Sequence, residues 1–320
     1  GPAASTDPDP SYDRAMRTPR RRIAACLLAT AIVAVSCSDT DEADDGADNS
    51  VLRGGDELLD GGDDGDVVDC SEEALSGGDV GFAFTSAHLV VDGQLGEVCF
   101  GGRDPLLVGA WNDLAAITPP GQLTDLALFA GFEPDGDAEV DTLAFVNALD
   151  ADGSQFQMTV NVPEAEADPD ELLLTLAHEF SHVFTATPTQ LDRTDEAIDA
   201  CDTYFNGEGC YLVDSLMIGW IDEFWGDGLI ATMDPFEDSA DDADARCAAD
   251  EGFFGSYAAT SPEEDFAEAF SAYVFRLTPD NRSQQERLDW IDARPGLSEF
   301  RDRADAAGLT PLANTFDLCG

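Results

Sequence analysis

One segment constrains this chain more than any other. Residues 168–182 read as a helix that must carry two histidines on one face. Asp168 can cap it, Pro169 suits its first position, and Glu171 stands where a capping box wants an acid. An apolar run from Leu172 to Ala177 then leads into His178-Glu179-Phe180-Ser181-His182. Residues four apart share a helical face, so both imidazoles can address one metal ion, with Glu179 projecting beside them. The chain has three histidines, and two of them are these. The third, His88, stands alone in a strand-like run and reads as a packing or surface residue rather than a ligand.

Two histidines and a carboxylate at this spacing suit a hydrolytic metal centre. Zinc lowers the pKa of a bound water from about 16 toward 7. A neighbouring carboxylate can then take the proton as the water attacks a carbonyl and pass it to the leaving amine. A catalytic zinc site takes a third protein ligand and leaves a fourth position open. A metzincin would need Gly three residues and His six residues after His182, and Thr185 and Pro188 stand there. Downstream, Ser261-Pro262-Glu263-Glu264 opens another helix, which runs to about Leu277. On it Glu264 and Glu268 share a face that Ala267 and Ser271 keep slim, while Phe266, Phe270 and Tyr273 form an apolar stripe. Glu264 could equally close a capping box on Ser261.

These two helices and their flanks resemble the gluzincin metallopeptidases, most of all the lethal-factor type, in which a helical Glu followed by Phe-Ala-Glu-Ala-Phe supplies the third ligand. The resemblance implies a zincin-like α+β domain acting on a protein or peptide substrate. It implies Zn2+ held by His178, His182 and Glu264, with Glu179 as general base. It also implies that Glu268 orients a zinc-bound histidine, and that Tyr257, seven residues before the ligand, donates to the oxyanion. The segment between His182 and Glu264 is longer here than in lethal factor. Among rival ligands, Asp192, Asp195, Asp199 and Asp202 lie near enough to serve as the Asp of an aspzincin. The context Ala200-Cys201-Asp202-Thr203-Tyr204-Phe205 breaks that family's pattern. Glu263 and Asp265 flank Glu264 but point roughly 100° away from it in opposite directions.

The N-terminus bears on location. Arg20-Arg21-Arg22 precedes an apolar run from Ile23 to Ser36, too short to span a bilayer but suited to a signal peptide. It ends Ala34-Val35-Ser36-Cys37, which resembles a bacterial lipobox with Cys37 as the lipidated residue. Met16 is a candidate start. We therefore expect an extension and signal over 1–37, an extracytoplasmic location, and membrane attachment only through a lipid. Residues 38–69 are rich in Asp and Gly, with Arg53 as the single base, and should form an unfolded acidic tether. Six cysteines remain in the expected domain over 70–320: Cys70, Cys99, Cys201, Cys210, Cys247 and Cys319. An even set in an exported chain predicts three disulfides, paired in that order.

Acidic residues number 67 against 15 basic ones, and every base is Arg. That charge repels nucleic acid and anionic lipid. Acid clusters that load Ca2+ are a weaker reading, since no complete helix-flanked calcium loop is present. Strands are expected over Phe82–Val91, Leu126–Phe132, Thr142–Leu149 and Phe156–Val162, the last two joined by a hairpin at Asp152-Gly153. A helix is expected over Asp104–Ile117 and an amphipathic one over Ser215–Trp225, with Trp220 and Trp225 as core anchors. The expected fold is α+β: a small mixed sheet, an active-site helix, and a mainly helical C-terminal part, most simply a monomer. Two alternatives are an inactive zincin-like lipoprotein that binds a partner and a calcium-loaded acidic binding module.

Overall fold

The computed structural model describes residues 68–76, 81–136, 140, 142–194, 201–233, 240–313 and 316. The expected signal peptide with Cys37, nearly all of the acidic tether, Asp195, Asp199 and Cys319 lie outside the described residues.

Five strands form one mixed sheet: β1 (Phe82–Val91), β2 (Gln94–Gly101), β3 (Leu126–Pro134), β4 (Ala144–Ala148) and β5 (Phe156–Asn161). Their order is β2-β1-β3-β5-β4. β3 and β5 run parallel, and every other neighbouring pair is antiparallel. Asp92 and Gly93 both take positive φ, which lets a tight turn reverse β1 into β2. Sequence reading missed β2. It is an edge strand without a fully buried residue, so it carries little apolar periodicity. β3, the central strand, is buried from Leu126 to Phe132. Its Gly131 is required by close packing, because a Cβ there would come within 2.8 Å of Leu107 and 2.9 Å of Val162.

Each face of the sheet is covered. On one, α1 (Glu72–Ser76) drops Leu75 onto Phe84, Phe132 and Phe145, and the Cys70–Cys99 disulfide ties this segment to β2. The other face carries α2 (Pro105–Ile117), α3 (Val162–Ala167) and α4 (Pro169–Thr185). Asp104 caps α2 by accepting from the Leu106 amide at 2.8 Å, and Trp111 meets Phe129 of β3 edge-on at 5.4 Å.

After α4 comes a two-stranded ribbon, β6 (Leu191–Asp192) with β7 (Cys210–Tyr211), closed by the Cys201–Cys210 disulfide. Cys247 is also disulfide-bonded. The helices α5 (Leu216–Trp220), α6 (Gly226–Ile230), α7 (Ala240–Ala249), α8 (Pro262–Val274), α9 (Arg282–Asp292) and α10 (Pro295–Ala307) follow. The fold is thus α+β, with a small mixed sheet followed by a mainly helical C-terminal part. None of the described helices is long and apolar enough to cross a membrane.

Aromatic packing fixes α4 against α8 and α10. Phe184 meets Phe270 at 5.2 Å, and Phe270 meets Phe300 at 5.1 Å. Each buried ring contributes roughly 1.5–3 kcal/mol, which outweighs the few tenths that separate helix propensities. The slim face of α8 lies against α4, where the Ser271 hydroxyl donates to the Leu174 carbonyl at 2.9 Å.

The expected single helix over Ser215–Trp225 needs correction. α5 ends at Trp220, and Ile221–Trp225 forms a π-helical turn. In an α-helix, residues five apart point about 140° from each other. A π turn brings them nearly into line. Both indole nitrogens, of Trp220 and of Trp225, reach the same Asp265 oxygen, each at 3.0 Å.

Candidate metal centre

α4 begins as expected, with the Asp168 carboxylate accepting from the Glu171 amide at 3.2 Å. Nine residues on, His178 and His182 lie on its buried face, with Nε2 atoms 3.2 Å apart. α8 supplies the third group. Glu264 Oε2 lies 2.9 Å from His178 Nε2 and 3.5 Å from His182 Nε2. Ligand atoms of these three residues all fall within 4.8 Å of one another, the only such His, Cys, Asp and Glu group among the described residues.

The spacing can be tested against an ion. Ligands about 2.0–2.1 Å from a tetrahedral zinc stand about 3.3 Å apart, and 2.9, 3.2 and 3.5 Å bracket that value. The donor set, two imidazoles and one carboxylate, is that of catalytic rather than structural zinc. The residues fit the group.

The capping reading of Glu264 is also half realised. Its amide donates to Ser261 Oγ at 3.2 Å, as a cap demands, while its side chain turns to the histidines. Burial pushes the Glu264 carboxyl up, but His182 and His178 overcome this and hold it at about 2. Burial lifts the Glu179 carboxyl to about 8. Glu179 is 1% exposed, and its Oε1 has no hydrogen-bond partner.

Tyr257 lies at the site, its ring centroid 6.0 Å from that of His178, and is half-buried. Its carbonyl is clamped by the amide and hydroxyl of Thr260, at 2.9 and 2.7 Å. Glu268 is buried one turn beyond Glu264. The bond that the resemblance implies from it is not made at His178, whose Nδ1 has no hydrogen-bond partner. The rival Asp202 is exposed on the ribbon, and Asp192 is occupied with Thr194. His88 is buried in β1, with Nδ1 3.2 Å from the Gly96 carbonyl and away from the cluster.

The three consecutive acids of α8 are all buried, and each faces a different neighbour. Glu264 faces α4. Asp265 faces the two indoles on one oxygen and Arg287 Nε, at 2.9 Å, on the other. Arg287 continues to Asp250 at 3.2 Å and lies over the rings of Phe224 and Phe253. Glu263 faces the ribbon, where Tyr204 and Tyr211 stack with centroids 6.2 Å apart. Burial and then the Glu263 charge push both tyrosine hydroxyls well above their usual range. The segment between α4 and α8 therefore meets the first turn of α8 through the two indoles on one side and the ribbon on the other. Sequence reading gave the directions of Glu263 and Asp265 but not these partners, which lie far along the chain and follow no local period.

The ribbon is itself tied to α4. Arg193 donates to the Ala186 carbonyl at the end of that helix, at 2.5 Å, and pairs with Glu208 at 3.1 Å.

Comparison of the chain with protein-family models, with curated proteins and with solved structures gives no match. The functional reading therefore rests on the geometry above.

Proposed function

We propose that this chain is a zinc-dependent endopeptidase of the gluzincin type, with a zincin-like domain, acting outside the cytoplasm. The observation that carries the proposal is the convergence of His178, His182 and Glu264, from two helices far apart in sequence, on one buried point beside Glu179. Zinc held there would polarise a scissile carbonyl and make hydroxide available near neutral pH.

The protein's own groups divide the remaining work. His178, His182 and Glu264 would hold the ion. Glu179 takes the proton from the attacking water and delivers it to the leaving amine. The Tyr257 hydroxyl donates to the oxygen that becomes negative in the tetrahedral intermediate. Glu268, buried one turn beyond Glu264, would orient one of the ligands. Disulfides in the domain fit an oxidising compartment, and an export signal with lipid at Cys37 would keep the enzyme at the cell surface.

The test is metal analysis of the purified chain together with the variant Glu179→Gln. We expect one zinc per chain in both proteins. We expect peptide hydrolysis to fall by several orders of magnitude in the variant, since coordination survives while proton transfer does not. Undiminished casein cleavage by Glu179→Gln would rule out the mechanism, and a chain that takes up no zinc would rule out the class.

A further inference from the structure

Tyr257 lies outside every helix and strand. It sits in consecutive turns over residues 256–260, just ahead of α8. A side chain there is only as fixed as the backbone that carries it. Gly255, Ala258 and Ala259 around it are buried, so their carbonyls need partners inside the protein.

Those partners come from other elements. Gln284 of α9 donates to the Phe253 carbonyl at 2.9 Å. Arg246 of α7 takes the far end of the turn, with Nε donating to the Ala259 carbonyl at 2.7 Å and Nη2 to the Thr260 carbonyl at 3.3 Å. Beside it, the sulfur of the disulfide-bonded Cys247 lies 3.5 Å from the Gly255 carbonyl oxygen. α7 thus meets the turn both before and after Tyr257.

The make-up of α7 points the same way. Its described buried residues are Ala243, Arg246 and Cys247, while Asp242 and Asp244 face solvent. Two of the three are small, so apolar packing gives little reason for a long cationic side chain here. Burying a guanidinium is costly unless its donors are bonded. Its planar fork can reach two carbonyls at once, which an ammonium does less well. A hydroxyl aimed at an oxyanion gains rate only at hydrogen-bond distance from the place where the charge develops. Misplacement by about 1 Å can cost about 100-fold.

We propose that Arg246 is a positioning residue, whose guanidinium, bonded to the Ala259 and Thr260 carbonyls, holds the turn so that the Tyr257 hydroxyl meets the oxygen that becomes negative. This rests on the peptidase reading and on Tyr257 as the oxyanion donor. On it, α7 acts on the rate through Tyr257.

The test is a double-mutant cycle on the zinc-loaded full chain, with Arg246→Met, Tyr257→Phe and the two combined. We expect Arg246→Met to lower kcat by about 10- to 100-fold, with KM and zinc affinity changed much less. In the Tyr257→Phe background the same substitution should lower kcat by less than about twofold, since the hydroxyl through which it acts is gone. Arg246→Lys, which keeps a donor, should recover part of the loss. A second measurement needs no turnover. With fluorotyrosine at all five tyrosines, the fluorine resonance missing from Tyr257→Phe identifies Tyr257. It should be a single line in the wild type and broadened or split in Arg246→Met. Thermal melts and zinc content check that the variants fold, and Arg246→Lys serves in the cycle if Arg246→Met does not. An unchanged kcat in Arg246→Met overturns the inference, and so does an equal fall with and without the Tyr257 hydroxyl. Loss of the fold in both Arg246 variants makes Arg246 a structural residue and also overturns it. These outcomes leave the peptidase reading standing. Full turnover by Tyr257→Phe, or no cleavage by the zinc-loaded wild type, overturns the reading beneath the inference and the inference with it.

Discussion

Trp220 donates its indole hydrogen to Asp265 at 3.0 Å, joining residues 45 apart in sequence. The bond ties the segment between α4 and α8 to the first turn of the helix that carries Glu264. Asp265 is fully buried, and removing it would strand the Arg287 guanidinium and two indole donors at once. Breaking a buried charge pair from one side costs about 3–5 kcal/mol. Asp265→Ala should therefore lower the unfolding free energy by that amount, whereas Trp225→Phe, which loses one hydrogen bond, should cost about 1–2 kcal/mol. Urea titration measures both. Equal small losses would mean that the node does not hold the two parts together.

The ligand set predicts a pattern of metal loss. Glu264→Ala, like His178→Ala or His182→Ala, should abolish tight zinc binding. Glu268→Ala should weaken it by about 10- to 100-fold. Asp202→Ala should retain it, because Asp202 is exposed on the ribbon. Zinc competition against a chelating dye gives each affinity. Zinc lost from Asp202→Ala but kept by Glu264→Ala would reject the third ligand.

Tyr257 is close enough to His178 to act on a substrate held at the cluster. Tyr257→Phe should cut kcat by about 100- to 1000-fold and change KM much less, as expected of a donor used only in the transition state. An unchanged turnover rate removes Tyr257 from the site.

How far the sequence alone carries depends on the range of the interaction. The α4 helix, its cap at Asp168 and the His178–His182 face are local, and local periodicity reveals them. The same holds for the β4–β5 hairpin at Gly153 and for the short loop that Cys201–Cys210 closes. The π turn at Ile221–Trp225 leaves no apolar period of its own, and the two indoles it aligns meet at Asp265 on another helix. Strand β2 escaped for the opposite reason, being too exposed to leave an apolar pattern. The buried pairing of Asp265 with Arg287 and the burial of Glu263 are set by tertiary neighbours, and no spacing rule anticipates them.

Asp305 is one carboxylate through which stability should respond to acid. Exposed Asp305 accepts from Arg276 Nε at 2.7 Å and from the Thr310 hydroxyl at 2.5 Å. Arg276 first, then Thr310, hold its carboxyl at about 2. A folded value below the unfolded one, about 3.9, contributes stability that is complete above that pH and is lost as pH falls through the folded value. The pair is exposed, so it is worth at most about 1 kcal/mol. Asp305→Asn should thus be less stable than wild type at pH 7, and the gap should close between about pH 4 and pH 2 in a series of denaturant melts. A gap that stays constant over that window contradicts the pairing.

The two histidines come from one helix, whereas Glu264 enters only after the whole segment between α4 and α8 has been laid down. A chain still emerging from synthesis or export can therefore present two of the three groups early and cannot complete the cluster until α8 docks. A pair of imidazoles alone holds an ion loosely. If the cluster holds an ion, tight capture would wait for α8, and the affinity for that ion would report that the distant parts have met.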